Sequence, residues 1–476
     1  MKTDRVQIWK NSLFLFFSQA IRLLTNIFIT VGIARLYGPE AFGQFSIAYT
    51  IATICITVAD FGFDVLLTTE IANNRNRAAQ IGRKYFSMKI IFALLSSAIM
   101  ITIPSFQTFS IQSRTLIYTL TLFVIFTTFT NFFNAIFRGF EKFNYESKIS
   151  FITNLIFLIL LAVLGVLKIP LIYMMLLFAV TRLLGVILSV RQAISLVGAN
   201  FIGIDFNEWR TIVNRILIYG LHFIFGSLFF QIDTVLIGIW KGDNDVGIYK
   251  SAFNIMLLIL ILSDIAFSAM LPVLSRLYYE NLEKWKILSR LYFKLFLLTA
   301  LPISIVLFFY SELIISLVYG SRPYKEAVPI LKIFSIVILF RFIGEPCAMM
   351  ITTSRRQHFR MIIVIMATVA SFILNYFVIP KYGLSGAAFV SLGVNLLVVV
   401  AYITSNKFSH FKWLFELRIF TVLSITTLLV FLLWYSHAQL IVLLFSMIIY
   451  ITIAYLVGLS NEDRKIIFSN FKLKSI

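Results

Sequence analysis

The sequence predicts an all-α polytopic membrane protein with about 14 transmembrane helices. Hydrophobic residues make up 60% of the 476 residues, and the mean hydropathy is +0.93. Apolar segments of about 20 residues, the length that crosses about 30 Å of hydrocarbon, fill the chain almost from end to end. Helices are favoured because lipid offers no hydrogen-bond partners, so each backbone polar group must be satisfied within the protein. The short alternating segments of a β-barrel are missing.

The apolar segments give approximate bounds for each helix. Their polar boundaries place the spans near residues 12–34, 44–67, 86–104, 115–137, 149–167, 171–190, 216–239, 248–272, 294–318, 328–351, 361–379, 384–404, 418–436 and 438–459.

Lysine and arginine predict the orientation of these spans. The termini and the even-numbered loops hold 27 of the 41 basic residues, whereas the odd-numbered loops hold seven. Basic loops stay in the cytoplasm, so both termini are expected there. The net charge of +20 is then a topology signal that also meets anionic lipid, and no nucleic acid partner is expected.

An internal repeat predicts two lobes. A shift of 204 residues aligns residues 38–67 with 242–271, and seven of the thirty positions are identical, among them Gly43/Gly247 and Asp60/Asp264. We interpret this as a duplication of six helices, whose halves enclose a central cavity. The predicted domains are an N-terminal lobe, a C-terminal lobe, and two added helices with a cytoplasmic tail, at residues 1–205, 206–412 and 413–476.

Basic side chains inside the apolar spans are the first candidates for a substrate site. A charge in hydrocarbon is disfavoured by about 2.5–3.5 kcal/mol, so such residues are expected to face protein or water. The candidate cavity cations are Arg22, Arg182, Arg341 and Lys250.

Acidic and amide side chains form the second set, with coupling or cavity-lining roles. They are Asp60, Asp64, Asp264, Glu345, Asn26, Asn131, Asn134 and Asn254. A structural alternative remains open, because polar side chains also join helices through hydrogen bonds. Arg341 and Glu345, one helical turn apart, are able to pair with each other. Cys55 and Cys347 lie inside apolar spans, so neither a disulfide nor a metal site is expected.

Three segments resemble polysaccharide (O-antigen type, Wzx-like) flippases of the multidrug/oligosaccharidyl-lipid/polysaccharide exporter superfamily. They are residues 20–72, which include ARLYGPEAFGQFSIAYT, FQIDTVLIGIWKGDNDVGIYKSAFNI at 230–255, and IPKYGLSGAAFVSLGVN at 379–395. The resemblance implies alternating-access transport of an undecaprenyl-pyrophosphate-linked oligosaccharide for O-antigen or other polysaccharide biosynthesis. It also implies polysaccharide polymerase and chain-length proteins as partners. Guanidinium groups suit bidentate phosphate contacts, which agrees with this substrate.

The sequence contains no GxxxxGK[ST] phosphate-binding loop, so ATP hydrolysis is not expected. No cofactor is expected either. The resemblance implies coupling to a proton or sodium gradient, and Asp60, Asp64, Asp264 and Glu345 are the acidic groups available for it.

Other functions remain open at this stage. Within the same superfamily, a multidrug exporter or a peptidoglycan-precursor flippase is the nearest alternative. A membrane polysaccharide polymerase or ligase is disfavoured, because such enzymes usually carry catalytic residues on a sizeable outer loop, and the outer loops here are short. A purely structural protein is disfavoured by the charges predicted at mid-membrane depth.

Overall fold

The computed structural model of the chain describes residues 2–106, 109–406 and 417–435, together with residues 450, 458, 459, 463 and 464. Regular structure in these residues is helical throughout, which confirms the predicted all-α class. The described helices, in chain order, are α1 Lys2–Asp60, α2 Phe63–Asn73, α3 Ala78–Phe106, α4 Ile111–Gly139, α5 Phe143–Val166, α6 Leu171–Val197, α7 Trp209–Trp240, α8 Asp243–Glu280, α9 Leu282–Phe309, α10 Ser311–Tyr319, α11 Ala327–Thr353, α12 Gln357–Ser405 and α13 Leu417–Tyr435.

Ten helical segments of the described chain are long and apolar enough to cross a membrane. Two of them each contain two predicted spans, joined without an intervening loop. Gly38 (φ 82°) joins the first and second spans, and Gly383 (φ 60°) joins the eleventh and twelfth. Glycine adopts positive φ without strain, so each junction turns within one or two residues. The fourteenth predicted span, 438–459, lies largely outside the described residues.

Contacts divide the chain into two compact units, Met1–Gly247 and Ile248–Ile476. The first unit contains the first six predicted spans and also α7, which packs against α1. The predicted domain boundaries, after residues 205 and 412, stay predictions.

Two glycines allow a close crossing of α1 and the start of α8 within the first unit. A Cβ atom on Gly43 would lie 1.7 Å from the carbonyl oxygen of Asp243, and one on Gly247 would lie 1.9 Å from that of Pro39. Both pairs, Gly43/Gly247 and Pro39/Asp243, are separated by the 204-residue shift of the repeat. The contact is therefore reciprocal between the two copies of the repeated segment.

Side-chain hydrogen bonds fix the same end of α8 to α4. The Ser110 hydroxyl oxygen accepts a hydrogen bond from the Ser113 backbone nitrogen, 3.1 Å away, and so caps the first turn of α4. Both serine hydroxyls donate to the Asp243 carboxylate, at 2.5 Å from Ser110 and 2.8 Å from Ser113. Asp243 is buried, so these bonds satisfy a carboxylate that would otherwise be costly to bury.

The second unit is built mainly on the packing of α9, α11 and α12. α13 packs on α9, where Val422 contacts the cluster of Leu291 and Leu298. Lys294 of α9 forms a buried ion pair with Asp463 at 3.0 Å. Of the region predicted to lie outside the duplication, α13 and Asp463 thus contact this unit through α9.

A buried hydrogen bond between α9 and α11 provides a test of this packing. The Trp285 indole nitrogen donates to the Thr353 hydroxyl at 3.1 Å, and both residues are buried. We expect Trp285→Phe to lower the free energy of unfolding by about 1–2 kcal/mol, because it removes the donor and leaves a small void. Unfolding in mixed micelles measures this change. In a Thr353→Val background, Trp285→Phe is expected to lower the free energy of unfolding by less than it does in the wild type. An equal decrease in both backgrounds would show that the hydrogen bond contributes nothing to stability.

Candidate functional site

One face of α5 carries a row of polar residues at four-residue spacing. Glu146, Ser150 and Asn154 lie one turn apart and are all buried. Each contacts an arginine from another helix, and Ser150 also accepts a hydrogen bond from the Asn154 amide at 3.1 Å. α5 therefore positions charged groups from three neighbouring helices along a single line.

Glu146 binds two arginines at once. Arg22 of α1 donates from Nη2 to its Oε1 at 2.9 Å, and from Nε to the Ser150 hydroxyl at 3.3 Å. Arg138 of α4 donates two hydrogen bonds to the same carboxylate, from Nε to Oε2 at 2.8 Å and from Nη2 to Oε1 at 2.7 Å. One carboxylate thus orients two guanidinium groups, and the trio keeps a net charge of +1.

Arg182 of α6 lies at the next position along the row. Its Nη2 donates to Asn154 Oδ1 at 3.2 Å, and its guanidinium lies over the Phe178 ring, 5.1 Å from the centroid, with Phe123 at 5.9 Å. Amide and aromatic partners surround its positive charge, and within the described residues no ion pair compensates it. We call Arg138, Arg22 and Arg182 the guanidinium row.

The exposure of these groups determines what they can bind. The Glu146 side chain is 1% exposed, whereas Arg22 and Arg138 are 33% and 32% exposed. Each guanidinium carries five N–H donors. Among the described contacts, Arg22 and Arg138 each use two of these donors, which leaves three on each. A partly exposed pair of oriented guanidinium groups suits an incoming phosphate.

A second charged cluster lies where α1 ends and α2 begins. The Lys89 ammonium, on α3, is fully buried and pairs with Asp60 Oδ1, with Asp64 Oδ1 3.9 Å away. Thr128 donates to the same Asp60 oxygen, and the Asn131 amide donates to the other at 2.8 Å. The cluster therefore joins α1, α2, α3 and α4.

The backbone break between α1 and α2 places both carboxylates at this cluster. Phe61 and Gly62 have φ values of 39° and 80°, and they end α1 directly after Asp60. Asp64 then lies in the first turn of α2, where the helix dipole stabilises negative charge. An interruption beside charged groups is a common feature of ion and substrate sites in transporters.

In the second unit, Arg341, Glu345 and Asp264 interact electrostatically with one another. Glu345 forms an ion pair with Arg360 of α12, 3.8 Å apart, and this arginine also lies over the Phe267 ring. Asp264 interacts electrostatically with Arg341 and Arg360. The alternative in which Arg341 and Glu345 pair only with each other is therefore incomplete, because Glu345 also pairs with Arg360.

The remaining candidates are dispersed. Lys250 is buried and lies 4.6 Å from the Phe253 ring centroid, and Asn254 hydrogen-bonds to Tyr319. Asn26 is exposed on α1, whereas Asn134 is buried in α4. These four residues join neither the guanidinium row nor the Lys89 cluster through any described hydrogen bond. Their roles at a cavity stay predictions.

Sequence reasoning missed several residues of both sites. Glu146 precedes the predicted fifth span, 149–167, yet it lies in the first turn of α5 and is buried. The spacing of Glu146, Ser150 and Asn154 is a helical stripe that the sequence does contain. Lys89 belongs to no such stripe, because its carboxylate partners come from other helices.

The described residues of the two sites include no His or Cys ligand of the kind that transition metals prefer. In the part of the chain that the structure describes, no group of three or more His, Cys, Asp or Glu side chains converges. Cys55 and Cys347 are buried free thiols, as expected of packing residues.

Comparison with known proteins identifies the family. Residues 8–278, more than half of the chain, match the sequence model of the family described as polysaccharide biosynthesis protein. The chain belongs to this family. Residues 219–377 also match the MatE family. The protein is thus a multi-pass transporter of the multidrug/oligosaccharidyl-lipid/polysaccharide exporter superfamily, and the families that it matches are transporters rather than enzymes. None of the curated proteins matches the chain.

Solved structures support the same fold. Lipid II flippase MurJ in an inward closed conformation aligns over 96% of this chain and 99% of its own, with a TM-score of 0.74 and 16% identity. An inward-facing multidrug resistance MATE family transporter covers 81% of this chain and 94% of its own, with a TM-score of 0.64 and 16% identity. A MOP superfamily transporter from Pyrococcus furiosus has a TM-score of 0.57 and 17% identity, over 88% and 96% of the two chains.

Proposed function

We propose that this transporter moves an undecaprenyl-pyrophosphate-linked oligosaccharide across the bacterial cytoplasmic membrane for O-antigen or related polysaccharide assembly. It does so by alternating access, without a cofactor, and polymerase and chain-length proteins act on its product. Arg22 and Arg138 bind the pyrophosphate.

The observation that carries this proposal is the pair of oriented, partly exposed guanidinium groups on the buried Glu146 carboxylate. A diphosphate is an anion that cannot enter hydrocarbon unaided. The three N–H donors on each guanidinium that no described contact uses offer it charge-assisted hydrogen bonds, and Arg182 adds a third cation further along α5. The site thus supplies positive charge and donors without rearranging its own ion pairs.

Multidrug export is the alternative within the superfamily, and charge argues against it. A site for cationic drugs needs negative charge to face the substrate, whereas the guanidinium row carries an excess of positive charge. A peptidoglycan-precursor substrate shares the pyrophosphate, so it differs only in the sugar. Transport of matched lipid-linked sugars, rather than the charge of the site, separates these two.

Reconstituted protein tests the proposal. Proteoliposomes are loaded with labelled undecaprenyl-pyrophosphate oligosaccharide, lipid II or ethidium in separate preparations, and movement across the bilayer is followed. We expect the oligosaccharide to be moved. Arg22→Ala and Arg138→Ala are each expected to slow its movement at least about tenfold, the effect of losing about 1.4 kcal/mol.

Arg75→Ala is the matched control. Arg75 also pairs with a glutamate, Glu141 at 2.6 Å, but both side chains are largely exposed, so transport is expected to be unchanged. Normal oligosaccharide movement by well-folded Arg22→Ala and Arg138→Ala proteins would refute the role of the row. Movement of ethidium alone would favour drug export.

A further inference from the structure

The cluster at Asp60 contains a cation that is part of the chain. Lys89 is fully buried, and its ammonium lies between two carboxylates, pairing with Asp60 and lying 3.9 Å from Asp64. A buried ammonium is very costly unless carboxylates compensate it, and a buried carboxylate pair needs a cation equally. The arrangement is therefore stable only while this position holds positive charge.

The surroundings of the ammonium resemble a site for a small hard cation. Asp60 and Asp64 supply carboxylate oxygens and Thr128 supplies a hydroxyl oxygen, the ligand types that such cations prefer. Each carboxylate side chain is 20% exposed, so neither is fully enclosed by protein. The backbone break at Phe61 and Gly62 lies directly beside it.

The second unit follows the same principle with a different residue. Asp264, the repeat counterpart of Asp60, interacts electrostatically with Arg341 and Arg360. Both copies of the repeated aspartate thus interact electrostatically with a cationic side chain of the protein itself. This parallel favours a selected feature over an accident of packing in one unit.

We propose that Lys89 is a built-in replacement for an alkali cation, and that it makes the Asp60–Asp64 site of the first unit independent of sodium. Removal of the ammonium is then expected to convert the same oxygens into a site that binds Na⁺. The inference deepens the proposed function by assigning the ion requirement of this unit. Its readout is ion binding rather than transport, so the two proposals fail separately.

Ion-dependent stability of the purified full-length protein tests this inference. Thermal unfolding is measured in NaCl and in N-methyl-D-glucamine chloride at equal ionic strength. We expect the wild type to unfold at the same temperature in both salts. Lys89→Met is expected to unfold at least about 2 °C higher in NaCl, because a ligand that binds only the folded state stabilises it.

Two further variants make the result specific. Lys89→Met combined with Asp60→Asn is expected to lose the sodium response, because one carboxylate ligand is gone. Lys294→Met is the matched control: Lys294 is also buried and also pairs with a carboxylate, Asp463, but it is not part of the Asp60–Asp64 cluster, so a sodium response below 1 °C is expected.

The outcomes that overturn the inference are equally definite. A sodium response in the wild type that Asp60→Asn abolishes would show that the site already takes an external cation beside Lys89. Folded Lys89→Met without a sodium response would show that the position accepts none. Should Lys89→Met accumulate only in sodium-containing buffer, the inference is supported, and failure of both Lys89→Met and Lys89→Gln to accumulate in either salt counts against it.

Discussion

Gly43→Ala is expected to prevent the protein from reaching a stable fold. Its new methyl group would lie 1.7 Å from the Asp243 carbonyl oxygen and 2.9 Å from the Gly247 amide nitrogen. Both obstacles are backbone atoms, so no change of rotamer relieves the overlap, and α1 must separate from the start of α8. We expect the free energy of unfolding to fall by about 4 kcal/mol or more, which is at the upper end of the effects of single substitutions.

The reciprocal contact and a third glycine complete this test. Gly247→Ala is expected to be as damaging, because its methyl group would lie 1.9 Å from the Pro39 carbonyl oxygen. Gly32→Ala, also in α1, meets no atom within 4 Å and is expected to change stability by less than about 1 kcal/mol. The yield of monodisperse protein and its unfolding in mixed micelles measure all three. Wild-type stability of Gly43→Ala would contradict the described crossing.

Glu146→Gln is expected to destabilise the protein by about 2–4 kcal/mol, because it leaves Arg22 and Arg138 with no carboxylate between them. The estimate lies below that for a fully buried pair, since both arginines are about one third exposed and water screens part of the repulsion. Mixed-micelle unfolding gives the free energy directly. Oligosaccharide transport is expected to fall as well, because the two guanidinium groups lose their orientation.

Glu141→Gln is the matched control for this substitution. Glu141 lies five residues earlier and also pairs with an arginine, Arg75, but in an exposed position, so a loss of 0–1 kcal/mol is expected. Adding Arg138→Ala to Glu146→Gln is expected to restore part of the lost free energy of unfolding, because one of the two arginines left without a carboxylate partner is removed. Equal effects of Glu146→Gln and Glu141→Gln would show that the buried carboxylate does not organise the row.

The sequence was sufficient to predict the membrane class and the approximate position of most helices. Span length, hydropathy and basic loops are local properties, and lipid imposes them on each segment separately. The repeat was also visible in the sequence, and it correctly singled out Gly43 and Gly247, although not their mutual contact. The loops predicted near Gly38 and Gly383 are instead sharp kinks that join two helices directly, because one residue with positive φ is enough to redirect the chain.

The pairing of charges was decided by the tertiary structure alone. Arg22 was identified from its sequence because a charge in an apolar span is conspicuous, but its partner Glu146 lies 124 residues away on another helix. Lys89 and Asp60 are separated by 29 residues and lie on different helices, so no periodicity relates them. Composition and spacing thus determine which segments enter the membrane. Which buried charges neutralise each other, and which keep donors free for a substrate, depends on helix packing that local sequence does not encode.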